Sequence, residues 1–128
     1  MLQALNNIPG APVPVGAYSQ VVRAGNLLFC AGQVGLVPET GKLAGESFEA
    51  QAKQVLANID AVLRGAGSSP AEIVMTTVFL TAMSYAPVMN GLYSEFVNQA
   101  APPARQTVAV KELPLGALVE ISVIAVSR

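Results

Sequence analysis

The chain has 128 residues, 52% of them hydrophobic and 12% charged, with a formal net charge of −1 and a mean hydropathy of +0.51. That length suits one domain, 1–128, with a real core, and the near-neutral charge excludes the basic footprint of a nucleic-acid binder. Histidine is absent and Cys30 is the one cysteine, which excludes histidine-based nucleophile systems, histidine metal sites, cysteine-pair zinc sites and an internal disulfide.

In chain order, residues 1–16 read as an irregular arm punctuated by Pro9, Gly10, Pro12, Pro14 and Gly16. A first strand is predicted over 17–23 and a second over 26–34, with Gly25-Asn26 as the tight turn between them. Pro38-Glu39-Thr40-Gly41-Lys42 is a strong turn signal. Phe48, Ala52, Val55, Ile59 and Val62 recur at spacings of 4, 3, 4 and 3, the period of an amphipathic helix. Gly65 and Gly67 supply its stop. Ile73 to Leu80 predicts a strand, and Ser84 is the expected N-cap of a second helix in which Tyr85, Met89, Leu92 and Phe96 share a face. Pro102-Pro103 ends that segment, and the last strands are expected over about 105–110 and 117–126.

The order β-β-α-β-α-β-β predicts an α+β domain, one sheet with two helices on one face. The strands are apolar on both faces, notably Ile73-Val74-Met75 and Val78-Phe79-Leu80. The uncovered face therefore predicts a homo-oligomer in which copies press their sheets together. No apolar run is long enough for a bilayer and no basic-then-apolar leader is seen. The lone thiol fits a reducing compartment, so a cytoplasmic protein is expected. No phosphate-binding loop or dinucleotide fingerprint occurs, and neither cofactor nor metal is expected.

Two charges interrupt the C-terminal apolar runs. Arg105 opens Arg105-Gln106-Thr107-Val108-Ala109-Val110, and Glu120 interrupts Leu118-Val119-Glu120-Ile121-Ser122-Val123-Ile124. A charge inside such a run is costly to desolvate without a partner or a ligand. The pair reads either as a buried ion pair or as a site, and a guanidinium fork is well shaped to hold a carboxylate.

Several segments together resemble the Rid (reactive intermediate deaminase) family, also called YjgF-like. They are Gly16-Ala17-Tyr18-Ser19-Gln20, Ala31-Gly32-Gln33, Pro38-Glu39-Thr40-Gly41, Thr76-Thr77-Val78-Phe79-Leu80, Asn90-Gly91-Leu92-Tyr93, and Pro103-Ala104-Arg105 through Val119-Glu120-Ile121. The resemblance implies a chorismate-mutase-like fold assembled as a homotrimer, with clefts at the subunit boundaries. It implies hydrolysis of short 2-imino or enamine acids, such as 2-iminopropanoate and 2-iminobutanoate, to 2-keto acids and ammonia.

By the same resemblance Arg105 anchors the substrate carboxylate and Glu120 activates water, its apolar strand face raising its pKa. Tyr18 and Asn90 line the cleft, and Gly32 allows close backbone approach. Two segments depart from the family pattern. Ala31 stands where many members carry Ser, and Gln106-Thr107 replaces the usual small residue and Cys, with Thr107 keeping a hydroxyl beside the site. Cys30, on the opposite face of a regular strand from Ala31, reads as a core thiol. The departures motivate an alternative: a non-catalytic trimer that binds small carboxylates, with a regulatory or chaperone-like role. A ribonuclease label, attached to some relatives, finds no basic patch interleaved with aromatics here.

Overall fold

The computed structural model describes residues 2–128. Strands β1 (Leu2–Leu5), β2 (Val21–Ala24), β3 (Leu27–Val34), β4 (Leu36–Val37) and β5 (Lys42–Leu43) precede helix α1 (Phe48–Gly65). Strand β6 (Ile73–Leu80), helix α2 (Ala86–Phe96), β7 (Ala104–Ala109) and β8 (Val119–Val126) follow. Six strands form one sheet in the order β1-β2-β3-β8-β6-β7, and β4-β5 is a separate small hairpin. Strand β8 lies inside the sheet, antiparallel to β3 and β6, while β7 runs parallel to β6 after the α2 crossover.

Alternation along β8 sets the layers. Val119, Ile121, Val123 and Ala125 are buried and share a core with Val55, Ile59, Val62 and Leu63 of α1 and Met89 and Tyr93 of α2. Glu120, Ser122, Ile124 and Val126 take the opposite face. On that face the register sets Ile124 opposite both Phe29 and Met75. The chain itself does not cover them: Phe29 is 43% exposed. Two helices on one face of a mixed sheet, with an apolar opposite face, match the expected architecture.

Three expectations are corrected. The arm is not wholly irregular, because Leu2–Leu5 pairs antiparallel with β2. Its side chains are largely exposed, so ladder hydrogen bonds rather than an apolar pattern hold it. The strand expected over 17–23 is Val21–Ala24. Ser84 does not cap α2. Met83–Tyr85 forms a 3-10 turn and the helix starts at Ala86, with Pro87, which has no N–H to satisfy, in the first turn. The Gly25-Asn26 turn is as expected, with Gly25 at φ 63 in a two-residue hairpin.

Helix α1 is capped by Ser47, whose hydroxyl accepts from the Ala50 N–H at 3.1 Å. Its inner face carries two buried amides that hydrophobic periodicity does not reveal. Asn58 donates to Leu36 O at 2.8 Å and Val34 O at 3.3 Å. Gln51 accepts from Leu118 N–H at 2.9 Å and donates to Gly45 O at 2.8 Å. At Gln51 the helix backbone presses on the link between β3 and β4 so closely that a Cβ on Gly35 would lie 2.6 Å from Gln51 O. Gly35→Ala should therefore lower the unfolding free energy by about 1–3 kcal/mol. Urea denaturation checks this as a reduced midpoint at unchanged m-value.

Candidate functional site

The sequence-predicted site residues fall into two groups on opposite faces of the sheet. Arg105 pairs in register with Thr76, whose side chain is buried toward the helices and shares a hydrogen bond with Tyr93 Oη at 2.8 Å. The guanidinium lies over the Tyr93 ring, 4.9 Å from its centroid, and donates to Asn90 Oδ1 at 2.9 Å. Thr107, two residues along, shares that face of β7, and its Oγ1 is buried without a hydrogen-bond partner among the described residues. An open groove runs past Arg105 between Tyr93, Val97 and Pro103.

Arg105 is not buried within the chain, as the apolar run predicts, because β7 is an edge strand with almost every residue exposed. The ion-pair alternative is also overturned. Strands β7 and β8 flank β6, two strand spacings of roughly 4.8 Å apart, and Glu120 pairs with Phe79 on the other face. No ion pair among the described residues involves Arg105. Asn90 occupies one of its five donors, so most of the fork is free for an anion.

The second group surrounds a cavity of about 290 Å3 lined by Tyr18, Ala31, Gly32 and Glu120, with Val13, Val15, Pro114 and Leu115 among its walls. A β-bulge builds it: Cys30 pairs with Val123 and Gln33 with Ile121, so Ala31 and Gly32 together oppose Ser122. Gly32 lets the Glu120 carboxyl approach the bulge: a Cβ there would sit 2.9 Å from the carboxyl carbon and displace that side chain. Burial in this apolar setting raises the Glu120 pKa above its ordinary value. Cys30 is in the core as expected, and burial pushes its thiol up to about 12, which keeps it protonated and unreactive.

The outer wall comes from the N-terminal arm, whose position depends on Gln20. This fully buried amide accepts from Ile8 N–H at 3.1 Å and donates to Pro12 O at 2.7 Å, and its own N–H donates to Asn6 Oδ1 at 2.9 Å. Tyr18 holds the arm tip, its hydroxyl oxygen accepting from Val15 N–H at 3.4 Å. That contact leaves the phenolic proton available to a ligand. Sequence reading misses Tyr93 as the platform under Arg105, although its spacing of three from Asn90 puts both on one helix face. It also misses Pro114 and Leu115, which no periodic pattern marks.

A family model described as endoribonuclease L-PSP matches residues 9–127. A RutC family protein of Aquifex aeolicus is 47% identical over 119 residues, covering 92% of this chain and 94% of that protein. A protein of Dermatophagoides farinae named 2-iminobutanoate/2-iminopropanoate deaminase is 36% identical, covering 92% and 91%. The crystal structure of a Rid family protein, YyfA of Yersinia pestis, superposes with a TM-score of 0.93 at 40% identity over 98% of this chain and 99% of that one. The chain belongs to this family, the Rid or YjgF-like proteins, which includes imine deaminases.

The raised Glu120 pKa has a consequence for stability. The folded state holds that proton more tightly than the unfolded chain, so the contribution is present below the ordinary carboxylate range and is lost as pH rises through the folded value. Glu120→Gln should therefore unfold at higher urea than wild type at about pH 7.5 and at a similar midpoint at about pH 4. Chemical denaturation at the two pH values reads the difference.

Proposed function

We propose that this member of the Rid family hydrolyses short 2-imino and enamine acids to 2-keto acids and ammonia, in clefts that two copies of the chain complete together. The observation that carries the reading is the division of the site. One face holds a guanidinium with free donors on an aromatic platform, and the other holds a desolvated carboxylate beside a cavity. One chain cannot present both to one small acid. An apolar sheet face that the chain leaves uncovered supplies the surface on which copies would meet. A homotrimer, the assembly the family resemblance implies, closes such a heterologous contact into a ring.

In this reading Arg105 of one copy holds the substrate carboxylate in a two-point hydrogen bond, with Asn90 and Tyr93 fixing the guanidinium plane. The imine carbon then lies beside Glu120 of the next copy. Glu120 takes a proton from water as the oxygen attacks that carbon, forming a carbinolamine. Glu120 returns that proton to nitrogen, then takes the carbinolamine's hydroxyl proton as the C–N bond breaks and the carbonyl of the keto acid forms. It passes this second proton to the departing nitrogen, so that both hydrogens of the water leave on ammonia. The raised Glu120 pKa favours the first half of the step, since it makes the carboxylate a stronger base toward water. The Tyr18 hydroxyl and backbone groups at the Ala31-Gly32 bulge orient the reacting group. Ala31 adds no hydroxyl, and positioning supplies most of the acceleration for an intermediate that already hydrolyses in water.

The test is keto-acid release from 2-iminopropanoate generated in the assay by an amino-acid oxidase. Wild-type protein should accelerate release, and Arg105→Ala should lower kcat/KM roughly 10- to 100-fold, the worth of hydrogen bonds to a charged group. Keto-acid binding with no acceleration by the wild type would leave only the carboxylate-binding alternative. An unchanged rate for Arg105→Ala would remove the anchor.

A further inference from the structure

We infer that Leu115 sets substrate size: it walls the cavity beside Glu120 and makes the site favour 2-imino acids with branched apolar side chains over 2-iminopropanoate. The inference rests on the reading given under Proposed function.

Leu115 stands at φ 62, ψ 18, and Gly116 follows at φ 71. Glycine adopts this left-handed conformation without penalty, but in leucine the Cβ crowds the following carbonyl. Neighbouring packing imposes the turn. Leu113 and Ala117 on either side pack with Val34, Leu36 and Leu43 in a small cluster of their own. The Ala117 N–H donates to Pro114 O at 3.1 Å, and the Leu118 N–H is held by Gln51. The backbone is thus fixed from both sides, and glycine or asparagine would fill the position more cheaply.

Core burial does not account for leucine here, since the side chain is 60% exposed. It borders the cavity together with Val13 and Val15 of the arm, and Ala31 keeps the floor free of a hydroxyl. Strain retained at a cavity wall without a packing return is a mark of a functional position. A substrate whose reacting carbon lies at Glu120 would set its alkyl group against this wall, where each methylene removed from water is worth roughly a factor of four in affinity.

The experiment compares kcat/KM for the leucine-derived imine, 2-imino-4-methylpentanoate, with that for 2-iminopropanoate, in wild type, Leu115→Asn and Leu115→Gly. Wild type should favour the larger imine about tenfold or more, and both variants should lower that ratio about fivefold. Oligomer size by light scattering should be unchanged, and the urea midpoint of Leu115→Gly should equal or exceed that of wild type as the strain is relieved. A ratio unchanged in both variants overturns the inference. So does loss of assembly, which would make Leu115 an interface residue. If wild type accelerates no imine, the proposed reaction fails by itself, and the inference is then read from calorimetric affinities for 4-methyl-2-oxopentanoate and 2-oxopropanoate. The same preference and the same loss support it, and equal affinities or no binding overturn it.

Discussion

Alternation along a β-strand assigns each side chain to one face of its sheet, and in this chain it sends Arg105 toward the helices and Glu120 to the bare face. Glu120 cannot change sides without a register slip that would also expose the apolar partners of its strand. Val119, Ile121, Val123 and Ala125 hold β8 in place from one side, so the carboxylate position follows from core packing. Arg105 is placed differently: its register is set by the parallel ladder to β6 and its fork is oriented by α2. A guanidinium with free donors and a desolvated carboxylate are thereby held rigidly but apart, and the proposed reaction needs a second copy to bring them together.

The other supports of the site are buried amides rather than charges. Gln20 ties the arm to the sheet, Asn58 ties α1 to the strand segment that lines the cavity floor, and Gln51 secures the start of β8. Each satisfies backbone groups that would otherwise be orphaned, so losing one partner leaves a buried donor or acceptor unpaired at about 1–3 kcal/mol. The bulge at Ala31-Gly32 adds the remaining shape by turning β3 where Glu120 needs space. The cavity is therefore a product of the scaffold, and Ala31 lines it where the family pattern often has Ser.

Much of this is legible in the residue order. Strand β6 falls on its predicted limits, α1 is read from the spacing of its apolar side chains, and the apolar character of both sheet faces anticipates the uncovered surface around Phe29 and Ile124. Arg105 and Glu120 stand out because each breaks an apolar run. Their separation is not legible, because faces depend on which strands neighbour β6 and in which direction, and nothing local reports that. Strand β1 escapes notice because four residues, three of them exposed, carry no periodic signal. Tyr93 and Leu115 escape for different reasons: one looks like an ordinary core aromatic, and the other owes its role to a backbone angle invisible in the letters.

The claim that two copies share each site is tested most directly by subunit mixing. Arg105→Ala and Glu120→Gln chains, each strongly impaired alone, are co-expressed in equal amounts and the mixed oligomers assayed for imine hydrolysis. If each site takes its guanidinium from one copy and its carboxylate from the next, random assembly restores about a quarter of wild-type activity. Mixed oligomers that stay as impaired as their parents would contradict it.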